Sequence, residues 1–376
     1  FMFSRGIATF GLDEGKCPKW LFERMVKLSR KMVYLMVDKF GAEEVVKRLA
    51  DPVWFQSLGT VLAFDWNSSG LTTILTAALK EAIRGQENKL GIFICGGKGK
   101  TSRKTPDEIL SWSNVLGLEI EKAKNLVYNS KMAAKVDSAL IQDGFQIYHH
   151  SFIFTKSGSW AVIQQGMNTL NQTARRYHWY SDKLKFHSPI TGSEKLVLEP
   201  HTGIASQKKF KNVLNLTKKE SEPTQKLSVE LVNQNFYSLM RDVKILQKHI
   251  TELNQMIKFK NKNQELTLLN LENKEYKYHP VVKENFFKNK YLEKILFELT
   301  ERKPKSYEEL LSLYGVGPKT IRALALVSEV IYGAKPSYED PARYGFAFGG
   351  KDATPYPVDR LTYDKAIDML KNNLSF

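Results

Sequence analysis

The stretch LLSLYGVGPKTIRALALVSEVI, residues 310–331, predicts two helices joined by a tight turn at Gly315 and Gly317. Pro318 is expected to open the second helix, because proline is favoured at the first helical position. Glycines let a turn approach a phosphate closely, and the N–H groups at the start of a helix hold an anion. The residues expected to bind that phosphate are Gly315, Gly317, Lys319 and Thr320.

The same run resembles the helix-hairpin-helix motif. It follows the pattern L-x-x-L-x-G-V-G-x-K-T-A, with Ile321 in place of the usual alanine. The resemblance implies contacts with the DNA backbone that carry no sequence information, because every nucleotide presents the same phosphate. An ordinary helical hairpin with a glycine turn is the alternative.

Charge is the unusual feature of the composition. The 376 residues include 56 Lys and Arg against 40 Asp and Glu, which gives a formal net charge of +16. Such an excess favours a nucleic acid partner, although a generally basic proteome would leave the same signature. Cys17 and Cys95 are far apart and outside any Cys/His cluster, so no zinc site is expected. No apolar run reaches the roughly 20 residues of a membrane span, and a soluble cytoplasmic protein is expected.

A second stretch with phosphate-binding chemistry is CGGKGKTSRKTPDE, residues 95–108, which follows the short apolar strand LGIFIC. Its end resembles a Walker A loop, but Ile94 stands where that loop requires its first glycine. Thr105 and Glu108 predict a capping box, so the helix would begin too late for a P-loop. Either a solvated surface loop or a flexible phosphate-binding loop is expected. Its cations are Lys98, Lys100, Arg103 and Lys104.

Residues 136–179 read as a helix followed by two strands. Aromatic and β-branched residues predict strands at 145–155 and 160–164, and Gly166 is expected to end the second. A helix is then predicted to carry Ala174, Arg175 and Arg176. This order resembles the ParB-like nuclease fold, which implies that Arg175 and Arg176 contact phosphate.

Residues 207–303 differ in composition, with frequent lysine and asparagine and apolar positions at a period near 3.5. Long helices are predicted, which either form a connector that supports a homodimer or pack on their own domain. The predicted fold is α+β. Residues 1–204 are predicted to form a mixed α/β catalytic domain, 205–303 a helical connector or dimerisation arm, and 304–376 an all-α helix-hairpin-helix domain that binds DNA.

Several strings together resemble one family across nearly the whole chain. They are DPVWFQSLGTVLAFDWNSSGLTT, GGKGKTSRKTP, AKVDSALIQDGFQIYHHSFIF, WAVIQQGMN, ARRYHW and DPARYGFAFGGKDATPYPVDR. These strings are typical of the bacterial and archaeal family labelled domain of unknown function 763. The label implies no activity.

The C-terminal stretch is also similar to the endonuclease III-type glycosylases. In that family a lysine after the glycine turn and a downstream aspartate are catalytic, which implies Lys319 and Asp359 here. The two residues are 359 − 319 = 40 positions apart, about twice the family's gap, and Arg360-Leu361 replaces the usual Thr-His. A DNA glycosylase-lyase is therefore an alternative function.

A metal-dependent nuclease needs carboxylates around Mg²⁺ or Mn²⁺, which polarise the phosphate and activate water. The candidate ligands are Asp65, Asp137 and Asp143. The further candidate catalytic residues are His149, His150, Gln164 and Gln165. Adjacent residues of a strand point to opposite faces, so at most one of the two histidines enters a given site. Helix caps and a packed histidine are the alternative readings.

The sequence therefore predicts a divalent-metal nuclease anchored on DNA. A non-catalytic DNA-binding or partition-type protein is the alternative from a different class.

Overall fold

The structure is a computed structural model that describes residues 17–64, 69–170, 172–181, 196–206, 209–251, 258–261, 264–267 and 290–342. Asp65 and Asp359 lie outside these ranges. The chain forms two compact units, one of residues 1–138, 143–210 and 340–376, the other of residues 139–142 and 211–339. The predicted α+β class is confirmed. Among the described helices, none has the length and apolarity of a membrane span.

The first unit is built on a five-stranded antiparallel sheet in the order β1-β3-β4-β5-β6. These strands are β1 (Ile92–Lys98), β3 (Gln146–Thr155), β4 (Trp160–Asn168), β5 (Thr173–Tyr180) and β6 (His201–Ser206). Its helices are α1 (Lys19–Leu49), α2 (Pro52–Val61), α3 (Gly70–Ile83), α4 (Glu87–Leu90), α5 (Thr105–Val115) and most of α6 (Ile120–Ala139).

Helices cover both faces of this sheet. On one face, α1, α2 and α3 bury a core that includes Phe55, Leu75 and Ile163. On the other face, the Trp112 ring of α5 lies 5.2 Å from that of Phe93 on β1. Because both faces are covered, β3, β4 and β5 are almost continuously buried, unlike strands that alternate between core and solvent.

The second unit contains a strand pair and a group of helices. The pair is β2 (Ile141–Gln142) with β7 (Leu214–Asn215). The helices are α7 (Glu222–Asn233), α8 (Phe236–Thr251), α9 (Lys290–Arg302), α10 (Tyr307–Ser312) and α11 (Pro318–Val330), and a hairpin of β8 (Lys258–Asn261) and β9 (Gln264–Thr267) follows α8. Leu231 of α7 and Leu239 of α8 are fully buried, and both helices contact α11. Helices of the predicted connector thus pack on their own unit, and a homodimer through them stays a prediction.

Two glycines lie inside an element, and the predicted end of a strand at Gly166 is wrong. Gly41 kinks α1 with φ 83° and ψ 166°, because glycine tolerates this geometry, and the helix resumes on its far side. Gly166 does not end β4, which continues to Asn168. A Cβ at Gly166 would lie 2.8 Å from Phe145 Cβ, so the glycine serves close packing.

The predicted helix at residues 174–176 is also wrong, since these residues lie in β5. Tyr177 and Trp179 on this strand are fully buried, and such burial of large aromatic side chains favours a strand. The helix on which the ParB-like resemblance depends is therefore absent at this position.

Arg175 of β5 joins three segments of the first unit. Its guanidinium donates to Asp143 at 2.8 Å and to Asp340 at 2.7 Å and 3.0 Å, and its Nε donates to Ser206 at 3.1 Å. Asp340 also accepts from the Phe210 N–H at 2.7 Å. Burial lowers the pKa of Arg175, but the two carboxylates more than offset this and hold it above its usual value. Residues 143, 210 and 340 each border a point where the chain passes between units.

Replacing Arg175 by Met should lower the free energy of unfolding by about 3–5 kcal/mol, because two buried carboxylates lose their cation. Urea unfolding measures this change. Arg84→Met is the matched control, since the Arg84 side chain is 69% exposed, and it should change stability by less than about 0.5 kcal/mol. Equal stability of the two variants would contradict the role given to Arg175.

Candidate functional site

The turn between α10 and α11 is open to solvent at its second glycine. Gly315 has φ 84°, and a Cβ there would lie 2.3 Å from Ile295 Cδ1, so this glycine serves the fold of the turn. Gly317 is the N-cap of α11, and a Cβ added to it would meet nothing within 4 Å. The N-cap thus has no side chain to occupy the first N–H groups of the helix, which an α-helix leaves unbonded.

Hydrogen bonds from the side chain of Gln142 fix the first turn of α11. Gln142 of β2 donates to the Pro318 carbonyl at 2.9 Å and accepts from Arg322. Lys319 is exposed, whereas the side chain of Thr320 is buried. Of the predicted phosphate ligands in this turn, Gly317 and Lys319 are therefore accessible, and Thr320 offers only its backbone N–H.

The second cationic stretch forms a regular turn. Residues Gly99–Lys104 form a 3₁₀ turn, and Lys98, Lys100, Arg103 and Lys104 are all exposed. The predicted capping box at Thr105 is wrong, because Thr105 is the first residue of α5, its N-cap is Lys104, and no side chain caps the helix. The Thr105 hydroxyl donates instead to the Ser102 carbonyl at 2.7 Å. Glu108 accepts instead from the Gly96 N–H at 2.9 Å and from Lys80 at 2.6 Å.

Gly96 fixes the start of this cationic turn. A Cβ there would lie 2.2 Å from the His150 carbonyl oxygen, and its φ is +86°. The Gly96 carbonyl accepts from Lys80 at 3.1 Å. The Lys80–Glu108 ion pair therefore bonds both the N–H and the carbonyl of Gly96. The 3₁₀ turn that follows presents its cations from a constrained backbone.

His149 and His150 point to opposite faces of the sheet, as predicted. His149 Nε2 lies 3.2 Å from the hydroxyl of Thr76 on α3, while His150 Nε2 lies 2.8 Å from that of Ser130 on α6. The Thr76 hydroxyl has one proton and lies 2.8 Å from the Thr72 carbonyl, so it accepts from His149 Nε2–H. Among the described residues, His149 Nδ1 has no hydrogen-bond partner.

Gln165 is the cross-strand neighbour of His149. Its amide donates to the Ser69 carbonyl at 2.8 Å and to the Tyr148 hydroxyl at 2.5 Å, while Oε1 has no partner in the described part of the chain. Arg176 follows in the same row of the sheet, paired with Gln165. It is fully buried and donates to Gln56 at 2.8 Å and His178 at 2.7 Å. Its predicted contact with a DNA phosphate is not accessible in this structure.

On the opposite face, a chain of hydrogen bonds ends at Asp137. Ser130 donates to His150 Nε2, and His150 Nδ1–H donates at 2.9 Å to Gln164, whose amide donates to Asp137. The carboxylate also binds His201 at 2.5 Å and Trp179 at 3.1 Å. Asp137 is fully buried and both of its oxygens are engaged.

Asp143 is engaged elsewhere, with Arg175 at 2.8 Å and the Tyr177 hydroxyl at 2.7 Å. The predicted metal ligands Asp137 and Asp143 thus have separate sets of partners. In the described residues, no three His, Cys, Asp or Glu side chains are arranged to hold a metal ion. Arg175, predicted to contact phosphate, is fully buried between carboxylates.

Sequence reasoning missed His201, Trp179 and Asp340. They are 64, 42 and 165 positions from the side chains that they contact, so no local pattern reveals the contacts. Asp340 begins one of the unusual strings quoted above, and this position is the one feature of the sequence that pointed to it.

Comparison with known proteins places the chain in a family. The family described as Protein of unknown function (DUF763) matches residues 6–358. The chain belongs to this family. No curated protein matches it, and no solved structure does. Membership in this family therefore does not indicate an activity, and the function has to follow from the surfaces described above.

The buried histidines predict a loss of stability in acid. Burial, with His150 and Lys98 nearby, lowers the pKa of His149 to about 3. Below an unfolded pKa of about 6.5 the unfolded chain takes up a proton that folded His149 refuses. His149 should therefore cost about 2 kcal/mol between pH 7 and pH 5, with the loss growing as pH falls toward 3.

Urea unfolding of the wild type and His149→Gln at both pH values measures this term. The variant should lose less stability on acidification by that amount, and the difference between the two proteins cancels the other titrating groups. A wild type and variant with identical pH dependence would show that His149 is protonated in the folded state.

Proposed function

We propose that the protein binds DNA without sequence preference, through the sugar-phosphate backbone, at the turn between α10 and α11. The observation that carries the proposal is the open N-cap at Gly317, with Pro318 at the first helical position and exposed Lys319 beside it. A helix N-terminus attracts a phosphate through its free N–H groups and its dipole. The Lys319 ammonium adds a cation at the same place.

The exposed cations around Gly99–Lys104 supply a second surface for phosphate, in the first unit. Three cations on this turn, with Lys98 just before it at the end of β1, attract a polyanion at long range, and the attraction weakens with salt. The net charge of +16 supports the same class of partner. Contacts to phosphate from N–H groups and lysine ammonium groups carry no sequence information.

Lys319→Ala should weaken duplex binding and flatten the slope of log K against log salt by about 0.9, because one phosphate contact is lost. Gly317→Val should weaken binding to every sequence alike, since its side chain fills the space where the phosphate would lie. Fluorescence anisotropy at several salt concentrations measures both effects.

Two matched controls accompany these variants. Lys156→Ala removes an exposed lysine from the turn between β3 and β4, and it should leave affinity and salt slope unchanged. Gly315→Val should instead destabilise the protein, by about 1–3 kcal/mol, because Gly315 has a positive φ that valine rarely adopts. Unchanged DNA binding by both Lys319→Ala and Gly317→Val would reject the proposal.

Metal-dependent cleavage is the second candidate. One observation favours it: His149 Nδ1 and Gln165 Oε1 are buried acceptors without partners in the described residues, and they belong to cross-strand neighbours. Such lone pairs can coordinate a divalent cation, whereas the carboxylates of Asp137 and Asp143 are already engaged. His149 and Gln165 are fully buried, so cleavage there requires this face to open to DNA.

If this candidate is correct, labelled DNA should be cut with Mg²⁺ or Mn²⁺ and left intact with EDTA. His149→Gln should then lower the cleavage rate while leaving DNA affinity unchanged. Intact DNA in all three conditions would leave the protein a binding module. A borohydride-trapped adduct on abasic DNA, lost in Lys319→Ala, would instead favour the glycosylase-lyase alternative.

A further inference from the structure

The residue before the glycine turn is a tyrosine whose side chain contributes almost nothing to the packing of the fold. Tyr314 is 94% exposed, although Val316, two positions later, is only 5% exposed and anchors the turn. A ring so exposed buries almost no apolar surface and adds little to stability. Its backbone position is nevertheless fixed, because Gly315 packs against Ile295 and the Val316 N–H donates to the Leu313 carbonyl at 3.3 Å.

A second tyrosine approaches the same turn from α9. The hydroxyl of Tyr291 lies 3.1 Å from the position that a Cβ on Gly315 would take, and the residue is 57% exposed. The turn proposed to bind a phosphate therefore has two exposed tyrosines beside it, Tyr314 next to Gly315 in sequence and Tyr291 with its hydroxyl near Gly315. Exposed Lys319 lies four positions beyond it on the same turn and helix.

Aromatic rings next to a phosphate site suit a strand with unpaired bases. A base stacks on a tyrosine ring, and this contact strengthens binding about tenfold per base without regard to sequence. In an intact duplex the bases are already stacked on one another and paired, so their faces are not available. Phosphate contacts alone do not distinguish the two forms of DNA, whereas a stacking surface does.

We propose that the turn between α10 and α11 binds single-stranded DNA, or a single-stranded segment within DNA, with an unpaired base stacked on Tyr314. Tyr314 acts here as the residue that selects the form of DNA, and the phosphate beside Gly317 sets the position of the strand. The inference rests on the function proposed above and adds the substrate class to it.

The test compares three ligands of equal length: a single-stranded oligonucleotide, the corresponding duplex, and a strand whose nucleotides at the centre are abasic. Tyr314→Leu should weaken binding to the single strand about tenfold, while duplex affinity stays within about twofold of wild type. Tyr314→Phe keeps the ring and should restore single-strand affinity. On the abasic strand, wild type and Tyr314→Leu should bind alike.

Tyr237→Leu is the matched control, because Tyr237 on α8 is also highly exposed, at 80%, and lies away from the turn in sequence. This variant should bind all three ligands like the wild type. Since Tyr314 is almost unburied, its variants should also keep the wild-type unfolding temperature. A loss on Tyr314→Leu that is equal for single strand and duplex, or no loss at all, would overturn the inference.

The outcome separates this inference from the function on which it rests. If Lys319→Ala and Gly317→Val weaken binding but Tyr314→Leu does not, phosphate binding stands and the substrate class is wrong. If none of the three changes affinity, the turn is not the DNA site. An RNA strand of the same sequence that binds more than about tenfold tighter than the DNA strand would assign the stacking surface to RNA and overturn the choice of DNA.

Discussion

The first unit depends on one buried guanidinium. The chain leaves and re-enters this unit near residues 143, 210 and 340, and Arg175 or its partner Asp340 bonds to each of them. An arginine suits this place because its planar guanidinium donates to several acceptors in fixed directions and stays charged when buried. The ion pair stabilises little by itself after desolvation, but loss of either charge leaves the other buried and uncompensated. Such a cluster specifies which segments come together.

Buried polar side chains lie across the middle of the sheet on both faces. Their hydrogen bonds explain how the sheet can contain them. On one face, Gln164 links His150 to Asp137. Each hydrogen bond of this chain orients its neighbour, and the Asp137 carboxylate accepts the last hydrogen bond. On the other face, His149 and Gln165 each keep one bare acceptor among the described residues. A buried polar atom without a hydrogen-bond partner costs free energy of folding. On this face the described residues therefore leave some hydrogen-bonding capacity unused. That unused capacity is the physical reason to test the site for a ligand.

The sequence predicted elements whose signals are local. The strand at β1, the turn at Gly315 and Gly317 and the start of α11 at Pro318 each follow from a few adjacent residues. The helix predicted at Arg175 and Arg176 failed because two arginines resemble a polar surface, whereas tertiary contacts bury both. Glu108 was predicted as a cap but pairs with Lys80, 28 positions away. The accessible part of the candidate site was predictable for the same reason as the turn, and the buried part was not, because its partners are distant in sequence.

The two exposed cationic surfaces share a design principle. In each, a glycine is required where another backbone or side chain comes too close for a Cβ: Gly96 against the His150 carbonyl, and Gly315 against Ile295. These contacts fix the backbone just before the exposed residues, which begin with Lys98 in one unit and include Lys319 in the other. A backbone that is already ordered loses less conformational entropy when a ligand binds. The buried glycine contacts and the exposed cations are therefore parts of one arrangement, in which packing fixes the backbone of the turn and leaves its cations exposed to solvent.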